Sequence, residues 1–383
     1  MRTDAAIVAE RPRVTALRSE DDLARMEPEW NTLLAKSASD TAFLTWEWIA
    51  SWWSAYRRGR TLELLRVDGR DGLIGVLPLY EEGRPLLGPL RYRVLALVGD
   101  GSADSDYLDC ISRKGSEDEV ADAVLAELRA GGRAWDLLLL NDVPAASPQL
   151  ASLKRAARRA GWHWNATRVP CARVDLPGSW DEYLRMLKPR MRTKVRSIIR
   201  DLERQFRVEY DRCTDPSDLD DRLRSLYDLH NRRWDSAGKR GVFHSDEKRA
   251  FYASMAHRFL RSGRLRFDSL RADGRYVAHQ FCFEHGGRMF LLQEGLDPEW
   301  FDHGVGNALR AHVFRDCIER GLNTYDFLGG VTPHKLSWGA TVHYSVRVIA
   351  GPKSWKNWLL FMTRDARALA KRLLKPEAHA EGP

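Results

Sequence analysis

Apolar and polar residues follow two recurring patterns in the first half of this chain. Residues 62–67 and 73–80 alternate around the turn-forming pair Asp71-Gly72, which predicts a β-hairpin. Residues 135–140 are apolar except for Asp136, which is typical of a strand covered on both faces. Between them, Ser116 and Glu119 form a capping-box pair that predicts the start of an amphipathic helix. Strands and helices therefore alternate in this half.

The second half repeats that order of elements. Three strands are predicted at 265–271, 276–284 and 289–295, and a helix ending near Arg320 follows them. Further strands are predicted at 324–328 and 342–349. Helices are predicted earlier in this half, over 188–207, from Asp215-Pro216 onward and over 245–261.

Each half thus reads as a strand, helices, three strands, a helix and further strands. This order predicts an α/β (α+β) protein with two similar domains, each a mixed, mostly antiparallel sheet flanked by helices. We expect one lobe at 1–165, a second lobe at 166–351, and a basic amphipathic helix with a tail at 352–383.

Composition and charge remove several classes of protein. The 383 residues are 44% hydrophobic and 30% charged, which argues against extended disorder. No apolar run approaches the ~20 residues of a membrane-spanning helix, and we expect no secretory signal. The five cysteines are scattered, so we predict no metal site and a reducing, cytoplasmic location. The net charge of +8 permits anionic partners without choosing among them.

A Gly-x-Gly loop opens the helix that follows the three strands of the second half. Unpaired N–H groups and the helix dipole favour an anion at such a position. The loop is a candidate cradle for a pyrophosphate group, and its residues are His303, Gly304, Val305, Gly306 and Asn307. A tight turn with a helix cap is the alternative interpretation. The pattern is neither the dinucleotide-binding fingerprint nor a Walker loop.

The order strand, Gly-x-Gly, helix, strand resembles motif A of the GNAT acyl-CoA N-acyltransferases. Longer segments resemble the subgroup related to the cellulose-biosynthesis CelD proteins, which carries the BioF2-like acetyltransferase domain. These segments are 43–48 (FLTWEW), 97–99, 106–109, the basic helix from Lys188, 325–330 (YDFLGG) and 335–339 (KLSWG). The chain is more distantly similar to the FemAB-type aminoacyltransferases, which carry two GNAT-like halves.

The resemblance implies a tandem GNAT fold and acyl transfer from acetyl-CoA or another acyl-CoA. The pyrophosphate of coenzyme A would lie on the loop defined above. Its pantetheine arm would lie along the third strand, at Leu292, Gln293 and Leu296, where diverging strands expose main-chain groups. Two positions depart from the family pattern. Phe301 stands where a basic residue or glutamine usually opens the loop motif, and His334 stands where a tyrosine is common.

Attack of an amine or hydroxyl on a thioester needs removal of a proton and donors for the oxyanion, but no covalent enzyme intermediate. Three candidates for the base lie near the predicted strand openings: Glu294, Asp326 and His279. Each has a structural alternative, namely a surface residue, an acceptor for loop N–H groups and a hydrogen-bonded core histidine, respectively. Transfer without a dedicated base stays open.

Two basic segments are candidates for binding anions. Residues 188–207 contain eight Lys or Arg and two Asp or Glu, with basic residues recurring every four positions. We predict that Arg192, Arg196 and Lys335 bind a phosphate or carboxylate, and a solvated surface is the alternative. Residues 353–375 contain seven Lys or Arg and one Asp, so peripheral contact with a membrane is a further expectation.

The sequence therefore predicts a cytoplasmic, acyl-CoA-dependent N- or O-acyltransferase. Its acceptor would be an amine or hydroxyl of a sugar, a cell-envelope precursor or a small metabolite. The second half is expected to carry the chemistry, and the first half to be structural or to bind the acceptor. Two alternatives stay open: an aminoacyl-tRNA-dependent FemAB-like transferase, and a non-catalytic scaffold in polysaccharide biosynthesis.

Overall fold

Strands and helices alternate in both of the units into which the chain divides. The computed structural model describes residues 11–87, 90–130 and 134–362. Among these, one unit contains the residues up to Ala50, Arg57–Arg168 and those from Val346 onward. The second unit contains Ser51–Tyr56 and Val169–Ser345.

In the first unit, four antiparallel strands are followed by a parallel one. The elements up to residue 175 are β1 (Arg13–Leu17), α1 (Glu20–Arg25), α2 (Glu27–Ala35), α3 (Trp46–Tyr56), β2 (Thr61–Gly69), β3 (Gly72–Leu87), β4 (Leu90–Leu97), β5 (Ile111–Ser112), α4 (Glu117–Ala130), β6 (Leu137–Pro144), α5 (Pro148–Arg159) and β7 (His163–Asp175). Strands β1 to β4 pair in sequence order, and β6 lies parallel to β4. The predicted hairpin is β2–β3, and Gly72 at its turn has a φ of 95°, which favours glycine.

The second unit repeats this arrangement. The elements after residue 175 are α6 (Trp180–Met186), α7 (Pro189–Gln205), β8 (Val208–Arg212), α8 (Pro216–Ser236), α9 (Asp246–Arg261), β9 (Leu265–Ala272), β10 (Arg275–His285), β11 (Arg288–Leu296), α10 (Val305–Glu319), β12 (Thr324–Gly329), α11 (Pro333–Ser337), β13 (Thr341–Gly351) and α12 (Trp355–Met362). Strands β8 to β11 pair in sequence order, and β12 lies parallel to β11.

The order β1–β4, α4, β6 therefore recurs as β8–β11, α10, β12. Each unit has a mixed, mostly antiparallel sheet flanked by helices, which confirms the predicted fold class. Two parts of the second unit are additions to the sequence-based prediction: β8 and the short helix α11. The predicted closing helix at 353–375 is described only as α12, because the rest lies outside the described residues.

Helix α10 is the centre of the hydrophobic core of the second unit. Its residues Ala308, Leu309, Val313 and Phe314 are buried against the sheet. The basic helix α7 packs on the same cluster through Val195 and Leu202, while most of its charged residues are exposed. The predicted amphipathic character of α7 is therefore present, and its apolar face covers part of α10.

Candidate functional site

Strands β11 and β12 run together for three residue pairs and then separate. The last of these pairs joins Phe290 to Asp326. Beyond it, residues 291–296 remain paired to β10, but the structure describes no strand partner on their other edge. Leu292 is the extra residue of a β-bulge, because Phe281 lies opposite Gln293 whereas Cys282 lies opposite Leu291. The Glu294 carbonyl is hydrogen-bonded to His230 Nδ1 over 3.1 Å. The remaining main-chain groups along the open edge have no strand partner among the described residues, so a ligand could pair with them.

Glu294 lies in this separated stretch and is held by two donors. Gln280 Nε2 donates to Glu294 Oε1 over 2.8 Å, and Arg310 Nη2 donates to the same oxygen over 2.5 Å. Tyr325 in turn donates its hydroxyl to Gln280 Oε1 over 3.2 Å. The Glu294 side chain is 15% exposed and that of Arg310 is 4% exposed. The structure thus brings Glu294 into a buried polar cluster in the opening beside β11.

The charges around Glu294 keep its carboxylate ionised. Burial alone would raise the pKa of Glu294, but the positive charges of Arg310 and Arg233 and the Gln280 hydrogen bond lower it below its ordinary value. Burial would lower the pKa of Arg310, but the attraction and hydrogen bond of Glu294, together with Tyr325 and Tyr183, raise it overall. Glu294 is therefore a carboxylate at neutral pH.

His334 joins the same cluster from α11. Arg310 Nη1 donates to His334 Nε2, so the hydrogen of the neutral ring is placed on Nδ1. Burial and the charge of Arg310 lower the pKa of His334 to about 4. The imidazole is therefore neutral at pH 7 and presents a donor rather than a positive charge.

Two apolar side chains lie close to the glycines of the predicted pyrophosphate loop. Gly304 has a φ of 67°, and a Cβ at this position would lie 3.0 Å from Ile198 Cδ1 of α7. A Cβ at Gly306 would lie 3.0 Å from the Leu296 side chain. No side chain caps α10 at Gly304, which leaves the first N–H groups of the helix without such a partner. The helix end therefore has N–H groups suited to bind an anion. The Ile198 side chain lies over Gly304 at this end.

The two other predicted bases have structural partners. His279 is fully buried, with Nδ1 2.8 Å from Ser269 Oγ and Nε2 2.8 Å from Ser225 Oγ. Burial lowers its pKa to about 3. Asp326 is 3% exposed and accepts the N–H of Leu328 over 2.8 Å, which orders a turn in which Leu328 has a φ of 62°. These contacts correspond to the structural alternatives for both residues.

Two of the three predicted anion-binding residues donate to main-chain carbonyls. Arg192 Nε donates to Leu184 O over 2.8 Å and its guanidinium also reaches the carbonyls of Arg185 and Leu187, so it caps α6. Lys335 Nζ donates to Gly329 O over 2.6 Å and to Gly330 O over 3.1 Å. Arg196 is exposed on α7.

Sequence reasoning missed Arg310 and Gln280, and it treated His334 only as a departure from a family pattern. One signal was present in the sequence: Arg310 stands beside Leu309 on the apolar side of a predicted helix, where a charge needs a buried partner. Nothing in the local pattern pairs that arginine with Glu294.

The comparison with protein families points to the same part of the chain. Residues 189–336 match the family described as Acetyltransferase (GNAT) domain. This range contains α7, the Gly-x-Gly loop, Glu294, Arg310 and His334. The second unit carries a GNAT-type acyltransferase domain. Among the curated proteins, none matches the chain in sequence.

Solved structures share the fold of the chain beyond its GNAT domain. FemX matches with a TM-score of 0.64 at 12% identity, covering 92% of this chain and 100% of FemX. L-PGS from Bacillus licheniformis matches with a TM-score of 0.52 at 12% identity, covering 91% of this chain and 96% of that one. At this identity the likeness concerns the fold, and it agrees with the predicted distant similarity to FemAB-type proteins.

Two further features of the described residues concern partners. No described helix combines the length and the apolar character that crossing a bilayer requires. In the same residues, no three His, Cys, Asp or Glu side chains are grouped so that they could hold a metal ion.

Proposed function

We propose that the GNAT domain transfers an acyl group to an amine, and that the reaction takes place at Glu294 in the opening between β11 and β12. One observation carries the proposal. Glu294 Oε1 is fixed by Gln280 and Arg310, whereas Oε2 accepts no hydrogen bond from the described residues. A partly exposed carboxylate oxygen beside an unpaired strand edge is suited to hold an incoming amine.

Glu294 would act on the acceptor in two steps. As a carboxylate it attracts the ammonium form of the amine and orients the neutral form by accepting an N–H hydrogen bond. Its lowered pKa makes it a weak base toward a free amine. Once the new C–N bond has formed, the nitrogen is far more acidic, and Glu294 Oε2 can then accept the proton.

His334 would stabilise the negative charge that develops on the leaving group. Its neutral ring carries a hydrogen on Nδ1, which we assign as a donor to the negative charge on the leaving group. The common tyrosine of the family resemblance is also a hydrogen-bond donor, so His334 can take over this function. Asp326 and His279 have no part in this scheme, because their contacts are structural.

We assign a coenzyme A thioester as the acyl donor, with its arm along residues 291–296. Main-chain pairing with β11 would hold an amide-containing chain in the manner of an added strand. The diphosphate would reach the first N–H groups of α10 only if the Ile198 side chain moves aside. The domain therefore fits the thioester arm directly and the diphosphate after one side-chain rearrangement.

An aminoacyl-tRNA donor is the second candidate, and two observations favour it. Ile198 already covers Gly304, where the diphosphate of coenzyme A would lie. In addition, Arg196 and Arg200 are exposed one turn apart on α7, where they could contact the RNA backbone. The acceptor in either case is an amine of a sugar, a cell-envelope precursor or a small metabolite, and the first unit would be structural or bind that acceptor.

Binding measurements separate these candidates. Calorimetry with acetyl-CoA should give binding that is abolished by Gly306→Asp if the first candidate holds. A gel shift with aminoacyl-tRNA that weakens steeply with salt would support the second. Binding of neither donor would favour the non-catalytic scaffold and contradict the proposed activity.

A further inference from the structure

Helix α12 carries an apolar face that no described residue covers. Trp355, Trp358 and Met362 are 65%, 58% and 67% exposed, and they are the three most exposed large hydrophobic side chains in the described chain. Their spacing of three and four residues places all three on one face of the helix. A cluster of this kind marks an interaction surface.

The opposite face of α12 is firmly attached to the rest of the first unit. Asn357 is fully buried and donates through Nδ2 to Asp136 O and to Pro352 O, each over 2.8 Å. The Tyr92 hydroxyl donates to Lys356 O over 3.0 Å. Phe361 stacks on His163 at a ring distance of 4.9 Å. These contacts fix the orientation of the helix, so the apolar face is held toward solvent.

The charges near this face are positive. Lys353 is exposed just before the helix. Residues 363–375 of the sequence contain basic residues at 364, 367, 371, 372 and 375 and one acidic residue at 365. Apolar residues at 366, 369 and 373 continue the three-and-four spacing of Trp355, Trp358 and Met362 in the sequence. Two copies of this segment would repel each other, whereas an anionic surface would be attracted.

We propose that the face of Trp355, Trp358 and Met362 docks on a bilayer surface that contains anionic lipid. Tryptophan is favoured at the boundary between lipid headgroups and hydrocarbon, and basic residues add attraction to anionic headgroups. Apolar contact and attraction to anionic lipid both strengthen the binding of such a helix to a membrane surface. This inference is independent of the proposed transfer reaction.

Vesicle flotation of the full chain tests the proposal. The wild type should float with vesicles of phosphatidylcholine and phosphatidylglycerol, and less with phosphatidylcholine alone or at high salt. Trp355→Ser with Trp358→Ser should lower the bound fraction about tenfold. The matched control is Met186→Ser with Val342→Ser, which removes exposed apolar side chains elsewhere and should bind like the wild type.

The same experiments distinguish a bilayer from other partners of this face. Equal flotation of the wild type and the tryptophan variant, or no flotation of either, would overturn the proposal. So would conversion of a dimer to a monomer by the tryptophan variant in the absence of lipid, because the face would then belong to a second copy. Release of the coenzyme A thiol from acetyl-CoA, measured without vesicles, should be unchanged in the tryptophan variant. Membrane docking and acyl transfer can therefore fail independently.

Discussion

Arg310 Nη2 lies 2.5 Å from Glu294 Oε1, and this pair joins α10 to the separated part of β11. The arginine side chain is 4% exposed, so neither solvent nor a surface ion can replace its partner. Burial of two charges costs nearly as much as their attraction returns, so the pair adds little net stability. Its effect is to fix one oxygen of Glu294 and leave the other for a substrate.

Removal of Arg310 should therefore be strongly destabilising. Arg310→Met leaves the buried Glu294 carboxylate without the guanidinium that pairs with it. We therefore expect a loss of about 3–5 kcal/mol in the free energy of unfolding. Arg315→Met is the matched control on the same helix, because its pair with Glu319 is 60% exposed on both sides. The control should change stability by less than about 1 kcal/mol in denaturant titrations. Equal losses in the two variants would contradict the argument.

His334 should contribute to the rate by donating a hydrogen bond. His334→Ala is expected to lower kcat about 10²-fold, because the donor to the leaving group is lost. His334→Tyr keeps a donor and should retain most of the activity. Steady-state assays of both variants check this expectation. A His334→Ala variant as active as the wild type would remove the residue from the mechanism.

Ile198 should control access of the coenzyme A diphosphate to α10. Ile198→Ala removes the atoms that lie closest to Gly304 and is expected to lower the KM for acyl-CoA while leaving kcat unchanged. Ile199→Ala is the control, since Ile199 is a half-buried neighbour packed on the same core. If both variants raise KM equally, or neither changes it, the diphosphate does not bind at this helix end.

His279 should influence stability with pH rather than catalysis. The pKa of its imidazole is lowered by burial to about 3, whereas the unfolded chain binds the proton near 6.5. The unfolded state thus holds more protons between these values, and the free energy of unfolding should fall as pH decreases from about 6.5 to about 3. His279→Gln should flatten this dependence relative to the wild type and retain thiol release. Loss of activity at unchanged stability would return His279 to the catalytic candidates.

The elements of the second unit follow closely from local patterns in the sequence. The strands β9, β10 and β11 and the helix α10 lie near their predicted limits, because periodicity and glycine turns depend on neighbouring residues alone. The separation of β11 from β12, by contrast, is a relation between distant segments. It was expected only from the resemblance to GNAT proteins.

The polar cluster shows why the site was harder to predict than the fold. Glu294 could be nominated because it stands on a strand near a predicted opening. Its partners come from β10, α10 and α11, and no local pattern connects Gln280, Arg310 and His334. The cover of Gly304 by Ile198 is likewise a tertiary contact, which a Gly-x-Gly motif does not reveal.

Thiol release from acetyl-CoA in the presence of a panel of amines tests the central claim most directly, when the wild type is compared with Glu294→Gln. Glutamine keeps the size of the side chain and an oxygen that accepts from Arg310 and Gln280, so the buried donors keep a partner and the protein stays folded. It cannot accept the proton, so kcat should fall about 10²- to 10⁴-fold. Glu284→Gln on β10 is the control, because Glu284 pairs with Arg266 and Arg320 outside the cluster, and it should remain active. Amine-dependent release by the wild type that Glu294→Gln leaves unchanged would contradict the assignment of the reaction to Glu294.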